Sequence, residues 1–100
     1  MKLYSTIEVT YRQKQFILSR QTSFSNPAFD HYIFFIKDEF LLTFCPQEIE
    51  IKIFNDSDKQ EVAISIGSKE FNEFQMAILI SIITKYPARY IDSPKSIRVA

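Results

Sequence analysis

A chain of 100 residues is the size of one domain, and 46% apolar with 15% aromatic content supports a core without disulfides. Its one glycine, Gly67, excludes phosphate-cradling loops, which need several glycines for close backbone approach, and its one cysteine, Cys45, excludes a disulfide framework or a thiolate zinc site. Net charge is zero, but residues 38–75 hold nine acidic and three basic side chains, between flanks that each carry a balance of +3.

Residues 3–11 alternate, with Leu3, Ser5, Ile7, Val9 and Tyr11 on one face, which predicts a half-buried strand. Arg12, Gln13 and Lys14 form a polar turn into a second strand over residues 15–20. A loop is expected over residues 21–29, rich in Thr, Ser and Asn and holding Phe24 and Phe29.

Residues 30–45 are apolar on both faces and predict a central hairpin turning at Lys37, Asp38 and Glu39. In that register Tyr32 faces Phe44, Phe34 faces Leu42 and Ile36 faces Phe40, while His31 pairs with Cys45. A second hairpin alternates Ile49, Ile51 and Ile53 against Val62, Ile64 and Ile66, with residues 55–60 as its turn. Ser68 is the expected N-cap of a helix that runs to about Tyr86, where Pro87 stops it. Its polar stripe of Glu70, Glu73, Ser81, Thr84 and Lys85 is narrow. The broad apolar arc demands a second buried contact besides the sheet, either from residues 88–99 or from another subunit in a homodimer.

The expected architecture is therefore one α+β domain spanning residues 1–100: a meander-like antiparallel sheet of five or six strands followed by one C-terminal helix. That order of elements resembles pleckstrin-homology-like domains at the level of fold, and a two-layer sheet-plus-helix domain fits it equally well. The opening residues lack the apolar run of a signal peptide, and no run approaches the ~20 apolar residues of a membrane span, so a cytoplasmic protein is expected.

Several residue groups invite a chemical reading. His31 beside Cys45 would be a base next to a thiol, though with no orienting group or oxyanion site to complete a catalytic constellation. Asp56, Ser57 and Asp58 resemble the opening of a calcium loop but lack its glycine and its distal glutamate, so no metal or cofactor is expected. Asn55, Asp56 and Ser57 spell a glycosylation sequon, which has no meaning in the cytoplasm. Arg12, Lys14 and Arg20, near Tyr11 and Phe16, form a small basic patch of the kind that meets lipid headgroups or nucleic acid, on a chain without the basic balance of a nucleic-acid binder.

The most extensive polar feature is acidic: Asp38, Glu39, Glu48, Glu50, Asp56, Asp58 and Glu61, with Phe24 and Phe29 as aromatic anchors. Such a surface suits a non-enzymatic domain that binds a protein partner, for example a basic nuclease or other nucleic-acid enzyme. Heavy use of Ile, Phe, Lys and Tyr points to AT-rich coding, which fits an inhibitor, immunity or anti-defence protein of a bacterium, phage or mobile element.

Overall fold

The computed structural model describes residues 2–24, 28–55, 60–90 and 95–99, with side chains for 5–24, 28–54 and 61–90. Five antiparallel strands run in meander order: β1 (Lys2–Tyr11), β2 (Lys14–Ser23), β3 (Phe29–Phe35), β4 (Glu48–Asn55) and β5 (Gln60–Ile64). Helix α2 (Lys69–Lys85) follows, as its cap and its stop predict. The Ser68 hydroxyl accepts a hydrogen bond from Phe71 N, and the backbone leaves the helix at Tyr86. A sixth strand, β6 (Lys95–Val99), comes after the helix and pairs parallel to β5, so the C-terminal segment extends the sheet. Among the described residues β1 and β6 stand at the two ends of the strand order and the sheet stays open.

The first hairpin is tighter than its sequence suggests. Tyr11 pairs with Lys14, leaving a two-residue turn at Arg12 and Gln13 with φ of 51° and 65°. Both angles lie in the left-handed region that a type I′ turn requires and that Asn and Gly occupy most easily. A left-handed non-glycine residue costs about 1–2 kcal/mol, and glycine returns roughly 0.5–1 of that as unfolded-state entropy. Gln13→Gly is accordingly expected to raise stability by about 0.5–1 kcal/mol in urea unfolding. A loss of stability would mean that the turn is not strained.

The expected hairpin over residues 30–45 does not form. β3 instead pairs with β4, setting Tyr32 against Ile51, Phe34 against Ile49 and His31 against Lys52. The intervening residues carry a one-turn helix, α1 (Glu39–Leu42), capped by Asp38, whose Oδ1 accepts from Leu41 N at 3.2 Å. Unbroken apolar runs such as residues 40–42 have no period that selects strand over helix. Here the N-cap hydrogen bond of Asp38 and the aromatic packing decide. Phe40 stacks on Phe16 with centroids 6.3 Å apart, and Phe44 packs on Tyr11 at 5.8 Å and Phe74 at 6.3 Å.

Both helices lie on one face of the sheet. That face contributes Ile7, Val9, Phe16, Leu18, Tyr32, Phe34, Ile49, Ile51, Ile53, Val62 and Ile64 to a core completed by Leu41, Phe71, Phe74, Ile78, Leu79 and Ile82. Part of the second cover that the apolar helix needed comes from the same chain, through Leu41 of α1, Phe44 after it and Tyr90, while Ile80 stays 63% exposed. Gly67 has its own role, because a Cβ there would run into the Phe71 ring. Gln75, fully buried in α2, bonds both backbone groups of Ser65, accepting from its N–H and donating to its carbonyl, each at 3.0 Å. It replaces the ladder partners that Ser65 lacks beyond the end of β5. Ile66 is not part of that strand; it is 71% exposed.

Candidate protein-binding face

The opposite face of the sheet carries no helix among the described residues. Strand alternation sends Thr6, Glu8 and Thr10 of β1, Gln15, Ile17, Ser19 and Gln21 of β2, and Phe29, His31, Ile33 and Phe35 of β3 to this side. β4 adds Glu48, Glu50, Lys52 and Phe54, and β5 adds Glu61 and Ala63. Cross-strand pairing fixes the neighbours. Glu48 lies opposite Phe35, Glu50 opposite Ile33, and Glu61 opposite Phe54, so each carboxylate borders an apolar residue.

This open face is amphipathic. Ile17 is 69% exposed, while Phe29, Ile33, Phe35 and Phe54 are half-buried. Phe29 packs on Phe54 at 5.5 Å and on His31 at 6.1 Å, and the Lys52 ammonium lies 5.2 Å from the Phe29 ring. Glu50 reaches His31 Nε2 at 3.3 Å and Lys52 Nζ at 3.7 Å, so one carboxylate is held between two nitrogens. Four carboxylates (Glu8, Glu48, Glu50 and Glu61) stand against one lysine, Lys52, among the side chains described on this face.

The acidic set anticipated from the sequence is thus partly gathered. Glu48, Glu50 and Glu61 share the open face; Glu39 is exposed in the first turn of α1, and Asp38 is occupied in capping that helix. Asp56 and Asp58 lie outside the described residues. The two aromatic anchors separate: Phe29 stands on the open face, and Phe24 packs at the core side against Tyr32 and Tyr86 with the Arg89 guanidinium 4.5 Å from its ring.

The basic residues do not form one patch. Arg12 pairs with Glu73 at 3.2 Å, and Lys14 lies over the Phe16 ring at 5.2 Å. Arg20 is buried in the core face, donating to Thr22 Oγ1 and, at 2.5 Å, to the Tyr86 hydroxyl. Nor do His31 and Cys45 meet. His31 is on the open face beside Glu50, and Cys45 is buried after α1, where loss of solvent pushes its thiol up to about 12. At neutral pH that sulfur is a thiol, not the thiolate a nucleophile requires. Among the described residues no three His, Cys, Asp or Glu side chains converge as a metal site would need, and no helix is long and apolar enough to cross a membrane.

A second polar group, not anticipated from the sequence, lies inside the core face near the end of α2. Asp30 is fully buried, and Arg89 grips both its oxygens at 2.6 and 2.5 Å. The Tyr90 hydroxyl donates to Asp30 Oδ2 at 2.6 Å and lies 2.7 Å from the Tyr32 hydroxyl. The cluster ties the residues after the helix to β3, which is a structural task. Its signal in the sequence is faint, because Asp30 reads as the polar first residue of the expected hairpin. Comparisons with protein-family models, with curated proteins and with solved structures return no match to the chain. What fold and surface define is a two-layer α+β domain whose sheet presents one acidic, partly apolar face.

Proposed function

We propose that this chain is a non-catalytic binding domain, which engages a cationic surface of a partner protein through the open face of its sheet. The observation that supports this reading is the placement of exposed Ile17 and half-buried Ile33, Phe35 and Phe54 among the carboxylates Glu48, Glu50 and Glu61, on the side that both helices leave bare. Apolar side chains ringed by charge supply the desolvated centre and the steering rim of a protein interface. A domain of this size that occupies a basic cleft would act as an inhibitor, immunity or anti-defence protein, with a nuclease or other nucleic-acid enzyme as the natural target.

Photo-crosslinking from positions 17 and 35 in cells that make the protein is expected to capture a basic protein. The Glu48→Lys/Glu50→Lys variant should bind that protein at least about tenfold more weakly, since like charges across an interface oppose association, and wild-type affinity should fall as salt rises. Unchanged affinity in the doubly reversed variant would reject this face.

A further inference from the structure

Strand β1 stands at the end of the sheet, and among the described residues no strand pairs with its outer edge. Tyr11 and Lys14 close a two-residue turn and so form a hydrogen-bonded pair, in which the first residue's carbonyl accepts from the fourth residue's N–H. Antiparallel pairs alternate between bonded and non-bonded. Val9, Ile7 and Ser5 therefore bond β2, and the N–H and C=O groups of Thr10, Glu8 and Thr6 point outward. One contact confirms the alternation: Lys85 Nζ donates to the Thr6 carbonyl at 3.0 Å, from outside the sheet.

These outward groups border a groove of about 530 Å³ between β1 and α2, lined by Thr6, Glu8 and Thr10 on one side and by Ala77, Ile80 and Lys85 on the other. Its volume is within the range of sites that hold ligands. Ile80, an isoleucine at the groove, is 63% exposed. Lys85 closes one end, and burial together with the charge of Arg20 lowers the affinity of its amine for the proton. Arg20 itself is buried with hydroxyl partners, and its Nε has no hydrogen-bond partner among the described residues. Lys85 at the groove and the buried Arg20 behind it thus lie near one another, and among the described residues no carboxylate is bonded to either.

We propose that the free edge of β1 docks an extended segment of a partner protein, which joins the sheet as a further strand, lays an apolar side chain on Ala77 and Ile80 and brings a carboxylate to Lys85. A row of outward N–H and C=O groups recognises an extended backbone, the adjoining helix offers a place for alternate side chains, and the cationic end selects an acidic residue or a C-terminus. A second copy of this chain fits less well. The antiparallel register centred on Glu8, which pairs Thr6 with Thr10, sets Glu8 against Glu8, and like charges directly opposite are destabilising. This edge shares Thr6, Glu8 and Thr10 with the open face. It shares none of Glu48, Glu50, Glu61 and the apolar residues on which the proposed function rests, so either can fail alone.

A random dodecapeptide library displayed on phage, with free C-termini, is the probe. Enriched peptides should carry alternating apolar residues and an acidic end. When a synthetic copy is added, amide exchange at Glu8 and Thr10 should slow by about tenfold or more. Methylating the peptide nitrogens that face β1 should abolish binding, a test that needs no protein variant. Glu8→Pro removes one outward donor at a position where an edge strand tolerates proline, and should weaken binding about tenfold while leaving the fold intact. Failure to enrich any peptide, retained binding by the methylated peptide, or self-association that protects the same amides would overturn the assignment.

Discussion

Asp30→Ala is expected to cost about 1–3 kcal/mol and to lower the Tm by roughly 4 °C or more, because it leaves the buried Tyr90 hydroxyl without its charged acceptor, while Arg89, whose side chain is 40% exposed, stays in water. Asp30 is fully buried on β3 and takes three short hydrogen bonds, two from Arg89 and one from Tyr90. Without it the buried Tyr90 hydroxyl loses its charged acceptor, and the Tyr32 hydroxyl, which bonds Tyr90, loses the group that orients its partner. The loss is large against the ~5–15 kcal/mol that holds a small domain together. Replacing Arg89 by Met in the same variant should change stability little further, since a guanidinium that is 40% exposed is solvated once Asp30 is gone. Urea unfolding of the single and double variants measures both terms. A cost below about 1 kcal/mol for Asp30→Ala would mean that the cluster holds nothing in place.

The same cluster predicts a steep alkaline weakness. Burial is the main cause that pushes the Tyr90 and Tyr32 phenols above their ordinary range of about 10, and the negative charge of Asp30 adds to it in both. A group whose pKa is raised by folding stabilises the native state while both states are protonated, that is, below about pH 10. Above that pH the unfolded chain releases the proton and the folded chain keeps it. Stability then falls by about 1.4 kcal/mol per pH unit for each phenol, or roughly 3 kcal/mol by pH 11 for the two together. Urea midpoints at pH 9 and pH 11 give the difference, and tyrosinate absorbance of the native protein locates the protons. Tyr90→Phe should reduce the slope by about one phenol's share. A flat profile between those two pH values would contradict the buried pairing of Tyr32 and Tyr90.

Much of this fold was legible from local pattern. The alternation of Ile7, Val9 and Tyr11, and that of Ile49, Ile51 and Ile53 against Val62 and Ile64, put those side chains in the core on one face, as a period of two demands. Ser68 and Pro87 bounded α2 correctly, since capping and φ restriction act within a few residues. The run of residues 40–45 was misread because its apolar residues carry no period. Asp38 was placed in a turn, and it caps a helix instead.

The candidate face was half visible. Glu48, Glu50 and Glu61 were singled out for their charge, and strand pairing then brought them together beside Ile33, Phe35 and Phe54. Nothing in the sequence said that this side stays bare, because that depends on where both helices settle.

The alternating strands, the helix that follows them and the α+β class follow from the sequence by itself, for they are written in spacings of two to four residues and in caps. Tertiary structure alone decided which strand β3 pairs with and that a sixth strand adds parallel to β5 after the helix. It also decided that Asp30 meets Arg89 and Tyr90, and that His31 and Cys45 stay apart. These are pairings between residues tens of positions apart, chosen by which arrangement closes the core and satisfies buried charge, and no local rule of propensity or period can rank them.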